Sequence, residues 1–149
     1  MAAADGYAEL GLPDMAWEEL NALSAAERSL PDVQELILGL LVRQHRWEEV
    51  VETGQNLCAV VRERPMPFIH TAYALHELGR TTEAKATLLN GPECLQSDPL
   101  FHYNMACYLA VGGNLKDAEA ALRTAFKLDS KLRIHARRDP DLKEIRGTF

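Results

Sequence analysis

The sequence has few cysteines and a deficit of positive charge. Its three cysteines, Cys58, Cys94 and Cys107, are widely spaced and form no C-x-x-C pair. This spacing argues against a disulfide framework or a zinc motif and favours a reducing compartment, so we expect a cytoplasmic protein. The 149 residues carry 16 Lys and Arg against 22 Asp and Glu, a net charge of −6. Because an acidic chain fits a phosphate backbone poorly, we expect no nucleic-acid partner.

Long apolar runs are also missing. The longest uncharged apolar run spans residues 36–42, only seven positions, whereas a membrane-spanning helix needs about 20. The first residues include Asp5 and have no Lys or Arg ahead of a long apolar stretch, so they do not resemble a secretory signal. We therefore expect no membrane insertion.

What is present is an ordinary globular composition with an internal period. Apolar residues make up 47% and charged residues 26%, as in a single folded domain. Pro31, Pro65 and Pro99 are 34 residues apart. Further positions keep the same step, most of them apolar, and Gly79 and Gly113 share a position that His45 occupies earlier. Those further positions are Leu38, Ala72 and Ala106; Leu41, Leu75 and Leu109; and Val50, Ala84 and Ala118. A fixed period of this length is typical of stacked repeats.

Each repeat reads as two helices. In the last one, Asp98 and Pro99 are suited to begin a helix, Gly112 and Gly113 to end it, and Asn114 to cap the next. The sequence predicts a partial repeat over 1–30, full repeats over 31–64, 65–98 and 99–132, and a C-terminal cap over 133–149. Within that cap we expect a short helix from Pro140 to Arg146.

The repeats resemble the tetratricopeptide repeat (TPR) family over about residues 10–130. The resemblance is carried by small and large residues at fixed places in the two helices, and Asp139-Pro140-Asp141-Leu142 looks like the tail that ends many bacterial arrays. The clearest matches are Phe68, Ala72, Leu75, Ala84 and Leu88, then Met105, Ala106, Leu109, Ala118 and Leu122. The resemblance implies an all-α fold, a right-handed superhelical stack of antiparallel helix pairs. Gly54 departs from it, because a large residue is usual there.

The resemblance also implies a function. In this family the first helices line a concave groove, so we expect a non-catalytic module that binds a partner peptide or amphipathic helix there. The residues implied to line the groove are Leu36, Gly39, Val42, Arg43, Met66, Ile69, His70, Tyr73, His76, Glu77, Leu100, Tyr103, Asn104, Cys107 and Val111. Some members clamp the acidic tail of a chaperone, but the matching positions here have no Lys or Arg.

Two alternatives remain open at this stage. The groove or the ends of the stack could be occupied by the protein's own C-terminus or by another copy, which would make it a structural, self-assembling module. Residues 1–64 hold 12 acidic and 5 basic side chains, so the acidic end could attract a basic partner or simply be a solvated surface.

No catalytic motif stands out. His70 and His76 are six residues apart and do not share one helix face as zinc-binding pairs do, and there is no phosphate-binding or nucleophile-elbow motif. We therefore expect no enzyme activity, no cofactor and no metal.

Overall fold

Each regular element of the chain is a helix in the computed structural model, which describes residues 2–149. The α-helices are α1 (Ala2–Glu9), α2 (Pro13–Asn21), α3 (Ala25–Arg28), α4 (Pro31–Arg43), α5 (Trp47–Val60), α6 (Pro65–Glu77), α7 (Thr81–Leu89), α8 (Pro99–Val111), α9 (Leu115–Leu128) and α10 (Leu132–Ala136). Two 3₁₀ segments complete the fold, Glu93–Ser97 between α7 and α8, and Pro140–Thr148 at the end. The expectation of an all-α protein is confirmed.

The helices begin in register with the sequence period. The prolines at positions 31, 65 and 99 are the first residues of α4, α6 and α8. Proline suits this position because its missing N–H would have no partner in the first helical turn. Asp98 accepts the backbone N–H of Leu100 at 2.8 Å, so it caps α8 as predicted. Asn114 does not cap α9 in this way, because its side-chain amide instead donates to Asp117 at 2.7 Å.

The turns inside the helix pairs share one backbone geometry. Across residues 2–149, a positive φ occurs only at Gly11 (71°), His45 (55°), Gly79 (76°) and Gly113 (80°), which are 34 residues apart. After each of these residues, a backbone N–H donates to the carbonyl five residues earlier, with N···O distances of 2.8–3.0 Å. This is the left-handed C-terminal cap that ends a helix and reverses the chain. The two helices joined by each short turn are in contact with each other.

The pairs pack against one another through small and apolar side chains. The first helices lie side by side, since α4 contacts α6 and α6 contacts α8. The residues at the 34-residue positions are fully buried: Ala4, Leu38, Ala72 and Ala106 in the first helices, and Ala16, Val50, Ala84 and Ala118 in the second. Alanine at a helix crossing lets two backbones approach closely. The core is therefore continuous from α1 to α9.

Gly54 lies in one of these close crossings. A Cβ built on it would lie 2.0 Å from Thr71 Oγ1. Thr71 is fully buried, and its hydroxyl donates to the Pro67 carbonyl oxygen at 2.6 Å. The missing side chain at position 54 thus makes room for α6 against α5, so the two helices pack very closely rather than loosely.

The C-terminal residues close the last pair. We call residues 139–149 the C-terminal segment. Its 3₁₀ part packs against α8 and α9 and buries Leu142 and Ile145. Phe149 meets Phe126 edge to face, with ring centroids 5.5 Å apart. The helix predicted from Pro140 to Arg146 is therefore a 3₁₀ helix that runs to Thr148.

In the described part of the chain, no helix combines the length and the apolar character needed to cross a lipid bilayer.

Candidate functional site

The implied groove residues lie on α4, α6 and α8, and most of them line one of two cavities. The N-terminal cavity has a volume of about 590 Å³ and takes in Leu36, Gly39, Arg43, Met66 and His70. The C-terminal cavity has a volume of about 710 Å³, and the groove residues that line it are Tyr73, His76, Glu77, Tyr103, Asn104, Cys107 and Val111.

Three implied groove residues belong to neither cavity. Ile69 is buried in the core, Val42 packs against the core at its edge, and Leu100 is exposed outside both cavities. Tyr103 and Cys107 line the C-terminal cavity but are themselves buried, with 8% and 4% of their surfaces exposed. A partner on this face would therefore meet a smaller set of side chains than the resemblance implies.

The N-terminal cavity has an apolar floor between α1, α4 and α6. Leu36, Leu40 and Met66 contribute to this floor, and Ala8 of α1 closes one side. The Arg43 guanidinium donates to the Ala8 carbonyl oxygen, which ties α4 to α1. Met66 leaves 37% of its surface exposed to solvent. The cavity therefore offers accessible apolar surface to a ligand.

The rim of this cavity is acidic. Asp5 and Glu9 lie on the α1 side, and Asp32 and Glu35 lie on the α4 side. Arg64 bridges the second pair, with Nη1 at 2.6 Å from Asp32 and 2.7 Å from Glu35. Burial lowers the pKa of His70, and the Glu35 carboxylate opposes this shift only in part. With a neutral imidazole at His70, the cavity has an apolar floor and a negative edge.

The C-terminal cavity is partly filled by the protein's own chain. The Tyr103 hydroxyl donates to Asp139 Oδ2 at 2.7 Å, and the backbone N–H of Asp141 donates to Asp139 Oδ1 at 3.0 Å. His76 Nε2 lies 2.9 Å from Asp141 Oδ2, and His76 Nδ1 lies 2.9 Å from Thr81 Oγ1. These contacts hold the start of the C-terminal segment against α6 and α8.

Burial and negative charge shape the chemistry of this cavity. Burial, together with the carboxylates nearby, raises the pKa values of Tyr73 and Tyr108. Burial also raises the pKa of the Cys107 thiol, and the carboxylates of Asp139 and Asp141 beside it add to this effect. A protonated, buried thiol is a weak nucleophile, so Cys107 is not activated for covalent chemistry in this state. Burial raises the pKa of the Cys58 thiol to about 11, so this thiol is also a weak nucleophile.

Several lining residues were not predicted from the sequence. On the N-terminal cavity these are Ala2, Asp5, Ala8 and Glu9 of α1; on the C-terminal cavity they are Tyr108, His135, Arg138, Asp139 and Asp141. The sequence analysis noted Asp139-Pro140-Asp141-Leu142 as a tail like those that end many bacterial arrays. Nothing in the spacing indicated that its carboxylates would meet His76 and Tyr103, because 65 and 36 residues separate the partners.

Comparisons of the sequence with known proteins give no identification. No protein-family model matches the chain, and no curated protein matches it with significance.

Proposed function

We propose that the protein is a non-catalytic TPR-like interaction module in which the helix pairs form a right-handed superhelical stack. The supporting observation is the backbone repetition, in which four turns with positive φ lie at one spacing of 34 residues. Side-chain patterns can coincide by chance over three repeats. A shared turn geometry, with the same capping bond after each turn, is a separate line of support for stacked helix pairs.

The partner-binding surface in this proposal is the N-terminal cavity. The observation that carries it is the combination of an apolar floor, including the partly buried Leu36 and the exposed Met66, with an acidic rim. Apolar surface of this kind gains free energy when a partner covers it. The rim adds selectivity, because Asp5 and Glu9 attract positive charge. The partner is therefore a peptide or amphipathic helix with apolar anchors flanked by Lys or Arg.

A second candidate function rests on the C-terminal segment. Its contacts with Tyr103 and His76 favour the alternative that the protein's own chain covers half of the groove. Under this alternative the module is structural, and the N-terminal cavity binds a second copy of the protein. The two candidates differ in what fills the N-terminal cavity, which makes them separable by one set of variants.

The test is a charge substitution on the cavity floor. Leu36→Asp with Met66→Asp places two carboxylates where the proposed apolar anchors would sit. The matched control is Leu89→Asp with Ile134→Asp, which adds the same charge at residues 61% and 64% exposed on other helices. Proteins captured by the wild type are purified and titrated against both variants, and the mass of each variant is followed by analytical ultracentrifugation.

A partner that binds the control normally and the cavity variant at least about tenfold more weakly would support the interaction module. Equal binding to both variants would remove the N-terminal cavity as the binding site. If only the protein itself is recovered, and the wild type forms a dimer that the cavity variant loses, the structural alternative replaces the first proposal.

A further inference from the structure

The first and last helices of the described chain carry opposite charge. The first 27 residues hold six acidic side chains and no Lys or Arg. Residues 127–138 hold five basic side chains and one acidic side chain. In the row of packed helices, α4 to α7 lie between these two stretches. The charge is therefore separated along the molecule as well as along the sequence.

The α1–α2 turn and helix α2 combine exposed apolar and acidic side chains. We call this area the N-terminal surface, and its members are Leu10, Leu12, Asp14, Met15, Glu18 and Glu19. Leu10, Leu12 and Met15 leave 73%, 43% and 41% of their surfaces exposed. Glu18 and Glu19 follow Met15 by three and four residues, which places them beside it on the helix. All six belong to the described part of the chain, and none of them lines the N-terminal cavity.

The end of α9 and the outer side of α10 combine exposed apolar and basic side chains. We call this area the C-terminal surface, and its members are Lys127, Leu128, Lys131, Ile134 and Arg137. Leu128 and Ile134 leave 47% and 64% of their surfaces exposed. Helix α10 buries Leu132 and Ala136, so Ile134, midway between them, faces away from the core. Exposed apolar side chains grouped with charge are typical of protein contact surfaces.

The charged side chains of both surfaces are available to another molecule. Within residues 2–149, no ion pair involves a charged member of either surface. Two N-terminal surfaces would repel each other through their carboxylates, and two C-terminal surfaces would repel through their cations. An N-terminal surface against a C-terminal surface instead joins apolar side chains to apolar side chains and negative charge to positive charge. The complementarity therefore favours a contact between unlike ends of two copies.

We propose that the protein self-associates head to tail, with the N-terminal surface of one copy against the C-terminal surface of the next. A contact between two different surfaces leaves one of each unused, so further copies can add to the chain. This interface leaves the N-terminal cavity open, and it goes beyond the proposed function because it does not depend on that cavity.

The experiment measures self-association of the full chain by analytical ultracentrifugation over a concentration series, at low and at high salt. We expect the average mass of the wild type to rise with concentration, and to rise less at high salt because salt screens the attraction between exposed charges.

Charge reversal tests the pairing of the two surfaces. Glu18→Lys with Glu19→Lys reverses the N-terminal surface, and Lys131→Glu with Arg137→Glu reverses the C-terminal surface. Each double variant alone should self-associate at least about tenfold more weakly, because its two ends then carry like charge. An equimolar mixture of the two variants should recover association. In the mixture, the reversed surfaces complement each other, and so do the unchanged ones.

The matched control is Glu48→Lys with Glu52→Lys, which makes the same change of charge at exposed residues of α5 and should associate like the wild type. Circular dichroism checks that each variant folds. The variant Leu89→Asp with Ile134→Asp is a second probe of the C-terminal surface. It leaves the N-terminal cavity intact, so it still serves as the control for a partner there, but it should lose self-association.

The cavity variant, Leu36→Asp with Met66→Asp, separates this proposal from binding of a second copy in the N-terminal cavity. It should keep head-to-tail association even if it loses a foreign partner. Association that is lost in the cavity variant but kept in the charge-reversed variants would overturn the proposal. A wild type that stays monomeric throughout the series, or a mixture of folded variants that does not recover association, would also overturn it.

Discussion

Gly54 and Thr71 face each other so closely that a Cβ on Gly54 would lie 2.0 Å from Thr71 Oγ1 and 3.1 Å from Thr71 Cβ. The equivalent positions in the other helix pairs are Leu20, Leu88 and Leu122, which are all buried. At this one crossing, glycine on α5 accommodates a β-branched residue on α6. The two residues therefore form a complementary pair.

Gly54→Ala should destabilise the protein by about 1–3 kcal/mol, because the added methyl group must displace Thr71 in a packed core. The double variant Gly54→Ala/Thr71→Ala should recover part of this loss, since the hydroxyl that clashes is gone. Chemical denaturation measures both. The control is Gly39→Ala in α4, where a Cβ meets nothing within 4 Å. It should stabilise the protein by about 0.5–1 kcal/mol. Equal effects at positions 39 and 54 would contradict the close crossing.

His45 is strained where the other helix pairs have glycine. Its φ is 55°, in the left-handed region that costs a side-chain-bearing residue about 1–2 kcal/mol. His45→Gly should therefore stabilise the protein by about 0.5–1 kcal/mol, after allowance for the greater freedom of glycine in the unfolded chain. The edge-to-face contact with Trp47, at 4.9 Å between centroids, limits the gain.

The melting temperature in thermal unfolding measures this effect. Gly113→Ala makes the opposite substitution, a side chain in place of glycine, at the equivalent turn of the last helix pair. It should lower stability by about 1 kcal/mol, because Gly113 has a φ of 80°. If both substitutions shift the melting temperature in the same direction, the two turns are not equivalent.

Helix positions followed from the sequence because their signals are local. The prolines that begin α4, α6 and α8, and the glycines that end α6 and α8, act through their own backbone geometry. Helix α3 was missed although Ser24 and Glu27 form a capping box, a recognisable local signal. The prediction that Asn114 caps α9 was wrong, because its side chain forms a hydrogen bond with Asp117 instead.

The candidate site was less predictable, because its geometry depends on contacts between distant residues. The TPR resemblance implied that Leu36, Met66 and His70 line one groove, and in the structure they line one cavity. The resemblance did not imply that the C-terminal segment contacts Tyr103. That contact depends on how Leu142 and Ile145 are buried against the last helix pair, which no spacing along the chain encodes.

The stability of the protein should depend on pH through His70. Burial lowers its pKa below the ordinary value of 6.5 in the folded state. As the pH falls below about 6.5, His70 becomes protonated in the unfolded chain before it does so in the folded protein. The free energy of unfolding therefore decreases as the pH decreases. His70→Gln should lose less stability than the wild type between about pH 8 and about pH 5. Urea denaturation across this range measures the difference. His135→Gln, at an exposed histidine, should behave like the wild type, and identical slopes for all three proteins would count against a buried neutral His70.

The Tyr103–Asp139 hydrogen bond should determine how firmly the C-terminal segment is held. Tyr103→Phe keeps the ring but removes the donor to a carboxylate, which costs about 1.5–3 kcal/mol when the group is buried. Because the bond joins α8 to the segment and not to α4 or α5, the loss should be local. Hydrogen exchange should rise in residues 140–149 and stay unchanged in α4 and α5. Tyr7→Phe, at a partly buried tyrosine near the other end of the chain, should leave exchange in the segment unaltered. Should Tyr103→Phe also leave it unaltered, the segment is held by the burial of Leu142 and Ile145 alone, and the Asp139 contact contributes little to closing the C-terminal cavity.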